Sequence, residues 1–154
     1  MKNYFKNNGF SLLEILITIS LLVLIVALVV PNLTKFRNQQ MLLNTKESLI
    51  SLLHQARNNT LASKNLGNYG VHLSATQATL FMGETFSDSP DNQQINFEPG
   101  VAIGALNLLG GGADIVFQRL SGDTNQPGTI QLQLSDGSLE KIITINQIGV
   151  ISSN

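Results

Sequence analysis

The stretch Gly9-Phe10-Ser11-Leu12-Leu13-Glu14-Ile15-Leu16-Ile17-Thr18 begins an apolar run that continues to Val30. The run reaches the roughly 20 apolar residues that a helix needs to cross the hydrocarbon core of a bilayer. Its one charged side chain is Glu14, which stands four residues after Phe10. A carboxylate inside such a run is costly in lipid and indicates a functional role. The run therefore predicts a membrane-spanning helix with one acidic site near its start.

The segment before the run is short and polar, and it contains Lys2 and Lys6. A secretory signal peptide has an apolar region of about 7–15 residues, followed by a small-residue cleavage site. Here the apolar run is longer, and no Ala-x-Ala site follows it near Pro31. The small-residue junction lies before the run instead, at Gly9.

These features together resemble the leader of type IV prepilins and type II secretion pseudopilins. The resemblance implies that a prepilin peptidase cuts between Gly9 and Phe10 and methylates the new amino terminus of Phe10. It also implies that Glu14, the fifth mature residue, serves filament assembly, and that Pro31 kinks the long helix. The alternatives are an ordinary loop glycine at Gly9 and, at Glu14, a carboxylate that reaches the head-group layer.

The resemblance and the apolar pattern divide the chain into four parts. Residues 1–9 are the leader, 10–31 the transmembrane or filament-core helix, 32–66 the amphipathic second half of that helix, and 67–154 a β-rich outer domain. We expect an α+β class, in which the long helix packs on a C-terminal antiparallel β-sheet domain, the pilin fold. Helical spacing predicts the buried face of the second half at Leu42, Leu49, Leu52, Leu53 and Ala56.

After Gly67, which we interpret as the stop signal of the helix, the apolar period changes to two and indicates strands. The expected strands are Tyr69–Leu73 and Ala78–Met82 as a hairpin, Ile95–Phe97, Val101–Leu108, Ala113–Leu120, and Ile130–Leu134 with Lys141–Asn146 as a second hairpin, extended by Gln147–Ile151. The predicted aromatic core consists of Tyr69, Phe81, Phe86, Phe97 and Phe117.

Composition and charge argue against several classes of protein. The chain has no cysteine, so packing and not disulfides must stabilise the outer domain. The net charge is −1, and removal of the two leader lysines leaves seven basic residues against ten acidic ones. DNA-binding members of the resembled family place arginines in the C-terminal tail, whereas Gln147–Asn154 has none. We therefore expect little affinity for nucleic acid.

No motif of an enzyme or a cofactor site is evident in the sequence. His54 and His72 have no nucleophile motif nearby, so a structural or solvated role is the simpler interpretation. Gly110–Gly112 lacks the Lys-Ser/Thr pair of a phosphate-binding loop. Asp88, Asp91 and Asn92 supply hard oxygens for Ca²⁺, but they lack the ligand spacing of a calcium loop. We expect no catalysis, no cofactor and no metal.

Within the resembled family, the pattern is most similar to minor pilins and H-type pseudopilins, on Gln55–Asn58 and on the segment from Gly128 to Val150. This implies a structural subunit in the inner membrane, single-pass with its C-terminal domain outside the cytoplasm, and later in a cell-surface pilus or periplasmic pseudopilus. The implied partners are other pilin or pseudopilin subunits, prepilin peptidase, membrane lipid before assembly, and a platform protein and ATPase acting in trans. A major pilin, a DNA-binding minor pilin in DNA uptake, and a membrane-anchored ligand-binding domain that never assembles are the alternatives.

Overall fold

The computed structural model describes residues 10–154, except for the side chains of residues 29–32. Helix α1, Leu12–Leu61, is followed by a short 3-10 helix, Lys64–Leu66. The strands then follow as β1 Tyr69–Ser74, β2 Gln77–Met82, β3 Gln93–Asn96, β4 Val101–Leu108, β5 Asp114–Phe117, β6 Gly128–Leu134, β7 Glu140–Ile145 and β8 Ile151–Ser153. The chain divides into two compact units between Arg37 and Asn38.

Two four-stranded sheets make up the β-rich part of the second unit. The first has the order β3-β2-β1-β5 and the second β4-β6-β7-β8, and every neighbouring pair is antiparallel. Both predicted hairpins are confirmed, since β1 pairs with β2 and β6 pairs with β7. We expected one sheet, whereas the structure forms two, because β5 returns to pair with β1 while β6 pairs with β4.

The second half of α1 and both sheets share one hydrophobic core. The predicted helical stripe is confirmed, because all of its members are at most 2% exposed: Leu42, Leu49, Leu52, Leu53 and Ala56. Each fully buried leucine stabilises the fold by about 1.5–3 kcal/mol relative to an exposed one. The strands contribute mainly β-branched and aromatic side chains, among them Val71, Ile115, Phe117, Ile130 and Ile143. The expected α+β architecture, a long helix packed on antiparallel sheet, is confirmed.

Helix α1 ends at Leu61, before the expected bound at residue 66, and Gly67 does not terminate it by its backbone conformation. The chain leaves the helix through three residues with positive φ, Ser63 at 49°, Asn65 at 51° and Leu66 at 57°. Gly67 is extended, with φ −113°. A Cβ atom there would lie 3.1 Å from Cγ of Met82, so close approach to β2 favours glycine at this position.

Two strand boundaries differ from the prediction because loops intervene. β5 ends at Phe117, since the N–H of Gln118 donates to the carbonyl of Asp123 at 2.8 Å and the chain turns. The predicted extension Gln147–Ile151 begins as a turn, closed by the N–H of Gly149 on the carbonyl of Asn146 at 2.8 Å, and the sheet continues from Ile151 as β8. Of the predicted aromatic core, four members are buried, Tyr69, Phe81, Phe97 and Phe117, while Phe86 is half-buried.

Candidate functional site

The start of α1 is formed by its own backbone. The carbonyl of Ser11 accepts hydrogen bonds from the N–H groups of Glu14 at 3.0 Å and Ile15 at 3.2 Å. Glu14 therefore lies in the first turn, where the helix dipole favours a negative charge. Glu14 is the third residue of α1 and stands four residues after Phe10, so its carboxylate lies near the beginning of the helix.

Apolar side chains cover every side of the N-terminal part of α1. Large apolar residues from Phe10 to Leu28 are between 49% and 80% exposed within the chain itself. The two hydroxyls that follow Glu14 bond back to their own helix, Thr18 to the carbonyl of Ile15 at 2.9 Å and Ser20 to that of Ile17 at 2.8 Å. A helix that is apolar all round belongs in a membrane or in the interior of an assembly.

Among the described residues, α1 is the helix whose length and composition would allow it to cross a membrane. Glu14 is the one ionisable side chain between Phe10 and Thr34, and it is exposed. The segment from Phe10 to Leu28 therefore presents one carboxylate on an otherwise uncharged apolar surface. Such a group in an apolar environment requires a cationic partner or contact with the head-group layer.

The other two predicted site residues do not join Glu14 in a common site. Gly9 lies outside the described residues. Pro31 lies within α1, but its side chain belongs to the few that the structure does not describe. The expectations of a cleavage site and of a helix kink therefore stay predictions.

Two threonines that the sequence analysis missed continue the buried face of α1. Thr45 is 2% exposed and accepts the N–H of Glu98 at 3.1 Å. Thr60 is fully buried and accepts the N–H of Tyr69 at 2.9 Å. Both residues follow the helical spacing of the leucine stripe, and this spacing could have identified them as buried. A search for apolar residues alone does not include them, because threonine is polar.

Arg57 is a third residue that fastens α1 to the β-rich part. Its Nε donates to the carbonyl of Gly122 and its Nη2 to the carbonyl of Ile148, both at 3.3 Å. The two acceptors lie 65 and 91 residues along the chain. The guanidinium therefore holds two separate loops against one turn of the helix.

A His–Asp pair lies on the first sheet, at the position where the sequence predicted only an isolated histidine. Nδ1 of His72 is 2.5 Å from Oδ1 of Asp114, across the β1–β5 pairing. The ring of Phe86 stacks on the imidazole, with ring centres 4.1 Å apart and an angle of 11°. This arrangement pins the β2–β3 loop to the sheet. Within residues 10–154, no three His, Asp or Glu side chains gather as metal ligands would.

Comparison with known proteins assigns the N-terminal segment. Residues 4–30 match the family model described as the prokaryotic N-terminal methylation motif. The match contains Gly9, Phe10 and Glu14, and it supports a precursor of the type IV pilin or pseudopilin kind. No curated protein and no solved structure matches the chain.

The motif points to a structural subunit and not to an enzyme. It implies processing by prepilin peptidase and assembly with other pilin subunits. Together with the apolar N-terminal helix, it fits a membrane-anchored precursor. The described α+β architecture is consistent with the pilin fold.

Proposed function

We propose that this protein is a minor pilin or pseudopilin, a non-enzymatic subunit of a type IV pilus or of a type II secretion-like filament. One observation carries the proposal: the methylation motif, residues 4–30, includes the first part of α1, whose large apolar side chains from Phe10 to Leu28 are exposed all round. A bilayer covers that surface before assembly, and neighbouring helices cover it in a filament. The helix can therefore pass from lipid to polymer without exposing its apolar surface to water.

Processing is the first step that this function requires. Prepilin peptidase cuts between Gly9 and Phe10, and the new amino group of Phe10 is methylated. The support is the motif match, which contains both residues. Mass spectrometry of protein from a host with active prepilin peptidase should give a chain that starts at methylated Phe10. A chain that keeps residues 1–9 in that host contradicts the proposal.

Glu14 then registers each subunit against its neighbour. In staggered parallel helices, its carboxylate pairs with the amino terminus at Phe10 of an adjacent copy. The attraction between the two charges is much stronger in a low-dielectric interior than in water, and a missing partner leaves an unpaired buried charge. The single carboxylate on the apolar surface supports this role.

Glu14→Leu tests the pairing against a matched control on the same helix. We expect Glu14→Leu to be cleaved normally but to be lost from sheared filaments. Glu47→Leu removes an exposed acid that pairs locally with Lys46 at 3.1 Å, and it should assemble like the wild type. Normal co-assembly of Glu14→Leu refutes the pairing, whereas loss of both variants indicates a general defect.

The proposed topology places residues 10–31 in the inner membrane once, with the C-terminal domain outside the cytoplasm. Pro31, which cannot donate a hydrogen bond to the carbonyl of Ala27, bends the helix at the end of this segment. The assembly platform and its ATPase act in trans. Protease added to spheroplasts should digest residues 38–154 and spare the apolar segment, and protection of the C-terminal domain would reverse the topology.

A minor subunit is favoured over a major one by the resemblance of Gln55–Asn58 and of the Gly128–Val150 region to minor pilins and H-type pseudopilins. Quantitative immunoblotting of sheared filaments separates the two, because a major pilin forms the bulk of the polymer. The alternative of a DNA receptor predicts a gel shift that weakens steeply with salt. We expect no such shift, since the processed chain carries more acidic than basic residues.

A further inference from the structure

A cleft of about 480 Å³ opens in the second unit between α1, the 3-10 helix and the loop that joins β2 to β3. This volume lies within the range of about 300–1,000 Å³ that is usual for ligand sites. Tyr69, Leu80 and Phe81 form an apolar floor, and each is less than 8% exposed. The walls are mostly neutral and polar, so the cleft combines a firm apolar base with many hydrogen-bonding groups.

Side-chain amides from opposite walls meet in this cleft. Nε2 of Gln55, on α1, donates to Oε1 of Gln93, on β3, at 2.7 Å. A carboxamide has one accepting oxygen and two donor hydrogens. This bond therefore leaves Oε1 of Gln55 as an acceptor, and the NH₂ of Gln93 as a donor, without a protein partner in the described part of the chain. Asn59 adds a further carboxamide to the helical wall.

The opposite wall is held in place before any ligand arrives. Phe86 stacks on His72, and its N–H donates to Oδ2 of Asp114 at 3.4 Å. Nδ2 of Asn92 donates to the carbonyl of Ser87 at 2.8 Å, which closes the loop on itself. A loop that is already ordered loses little conformational freedom when a ligand binds, so a modest number of contacts is sufficient for measurable affinity.

The charges and the shape of the cleft select the class of ligand. Lys64 and Asp91 are the charged residues of the lining, and their opposite signs leave the cleft with no net charge. Hydroxyl groups both donate and accept, so they match the adjacent donor and acceptor ends of Gln55 and Gln93. An extended peptide would instead be held by main-chain bonds to a strand edge and by pockets for its side chains. The hydrogen-bonding groups that meet between the walls of this cleft are side-chain amides, which favour hydroxyl groups over a peptide main chain.

We propose that this cleft binds a short neutral oligosaccharide, with ring hydroxyls on the amide groups of Gln55, Asn59 and Gln93, and with an apolar sugar face towards Met82 and the floor. Met82 is 53% exposed at the rim and offers apolar contact there. The site would give the subunit a recognition function in addition to a place in a filament.

The test uses the full chain in detergent micelles on an array of neutral, sialylated and sulfated oligosaccharides and of extended peptides. We expect retention of neutral oligosaccharides, followed by calorimetric titration with the best of them. Gln93→Met should weaken that binding about five- to tenfold, the effect of losing one or two hydrogen bonds. The matched control is Gln94→Met, on the same strand, because Gln94 bonds to Gln77 and Asn96 away from the cleft.

Unchanged affinity in Gln94→Met with weakened affinity in Gln93→Met supports the proposal. Retention of peptides or of charged oligosaccharides in place of neutral ones overturns it, as does the absence of any retained oligosaccharide. Equal effects of the two substitutions also overturn it. None of these outcomes bears on cleavage after Gly9 or on the role of Glu14, so failure here is distinguishable from failure of the filament proposal.

Discussion

The substitution Thr60→Val tests how α1 is fastened to the β-rich part of its unit. The Thr60 hydroxyl donates to the carbonyl of Ala56 at 2.9 Å and accepts the N–H of Tyr69 at 2.9 Å. Valine has nearly the same shape but no hydroxyl. The carbonyl of Ala56 keeps its helical hydrogen bond, which comes from the backbone N–H of residue 60. The N–H of Tyr69, by contrast, loses its acceptor in a place that water does not reach.

The magnitude follows from the burial of the orphaned donor. A buried N–H left without an acceptor costs about 1–3 kcal/mol, against a total stability of about 5–15 kcal/mol. Thr45→Val is the matched control, because Thr45 lies on the same helical face and is equally buried. Its donor is the N–H of Glu98, an exposed residue that can turn to water. We therefore expect Thr45→Val to cost less than about 1 kcal/mol.

The assay is urea unfolding of the full chain in detergent micelles, followed by hydrogen exchange of the peptide that contains Tyr69. Thr60→Val should lower the free energy of unfolding by about 1–3 kcal/mol and accelerate exchange of the Tyr69 amide. Equal losses in Thr60→Val and Thr45→Val would refute the reasoning, because helix propensity and lost shape would then explain both. A neutral Thr60→Val would refute it as well.

Three further substitutions test the loops. Gly149→Ala should lower the urea midpoint far more than Gly137→Ala, although both glycines have positive φ, 72° and 67°. The added Cβ would lie 1.9 Å from the carbonyl oxygen of Gly122 at position 149, but within 4 Å of no atom at position 137. Equal losses in the two variants would contradict the clash and would leave only the backbone cost of about 1–2 kcal/mol. His72→Gln should lower the free energy of unfolding by about 0.5–1.5 kcal/mol, because the ring stacking on Phe86 is lost. It should also speed proteolysis of the β2–β3 loop, and an unchanged cleavage rate would show that His72 does not hold this loop. Hydrogen bonds from the side chain and the N–H of Ser138 lower the pKa of Asp136 below 3.8. The stabilisation that these bonds give is complete above pH 3.8 and is lost as the pH falls through the folded pKa. Asp136→Asn should remove this acid dependence and change little at neutral pH, as unfolding midpoints between pH 2 and 7 would show.

The fold was predictable where a short-range pattern carried the information. The spacing of Leu42, Leu49 and Leu53 fixes one face of a helix, and those residues are buried. Alternation from Ile130 to Leu134 likewise fixes β6 and its buried side. Periodicity works in both segments because each element buries one face, and a change of one residue in register would expose it.

The division into two sheets was not predictable in the same way. It depends on which distant strands pair, and β5 pairs with β1 across more than 30 residues in a register that includes His72 and Asp114. The hydrogen bonds of Arg57 to Gly122 and Ile148 are equally remote in sequence. No local signal encodes such contacts, because each partner by itself is an ordinary polar or loop residue.

The candidate site shows the same contrast. The leader, Phe10 and Glu14 were evident from a contiguous motif, which the family model also matches. The cleft is formed by helix, loop and strand residues that are up to 38 residues apart, such as Gln55 and Gln93. His72 seemed isolated for the same reason, since its partner Asp114 lies 42 residues away. The sequence therefore predicts the methylation motif that the family model matches, but not the surface chemistry of residues 38–154.

The distribution of buried residues along α1 explains how one helix can serve two environments. The hydrophobic core and the side chains packed on it begin at Met41, whereas apolar residues from Phe10 to Leu28 contribute nothing to it. We therefore expect the stability of the second unit not to depend on what surrounds the first. We expect hydrogen exchange to give the same free energy of unfolding for residues 38–154 in micelles and in assembled filaments. The comparison uses the buried core residues, which contacts between subunits do not cover. In the proposed transfer from membrane to filament, the subunit would lose its lipid contacts while residues 38–154 stay folded. Global loss of protection in residues 38–154 on extraction from the membrane would show that the two parts are coupled and would overturn this view.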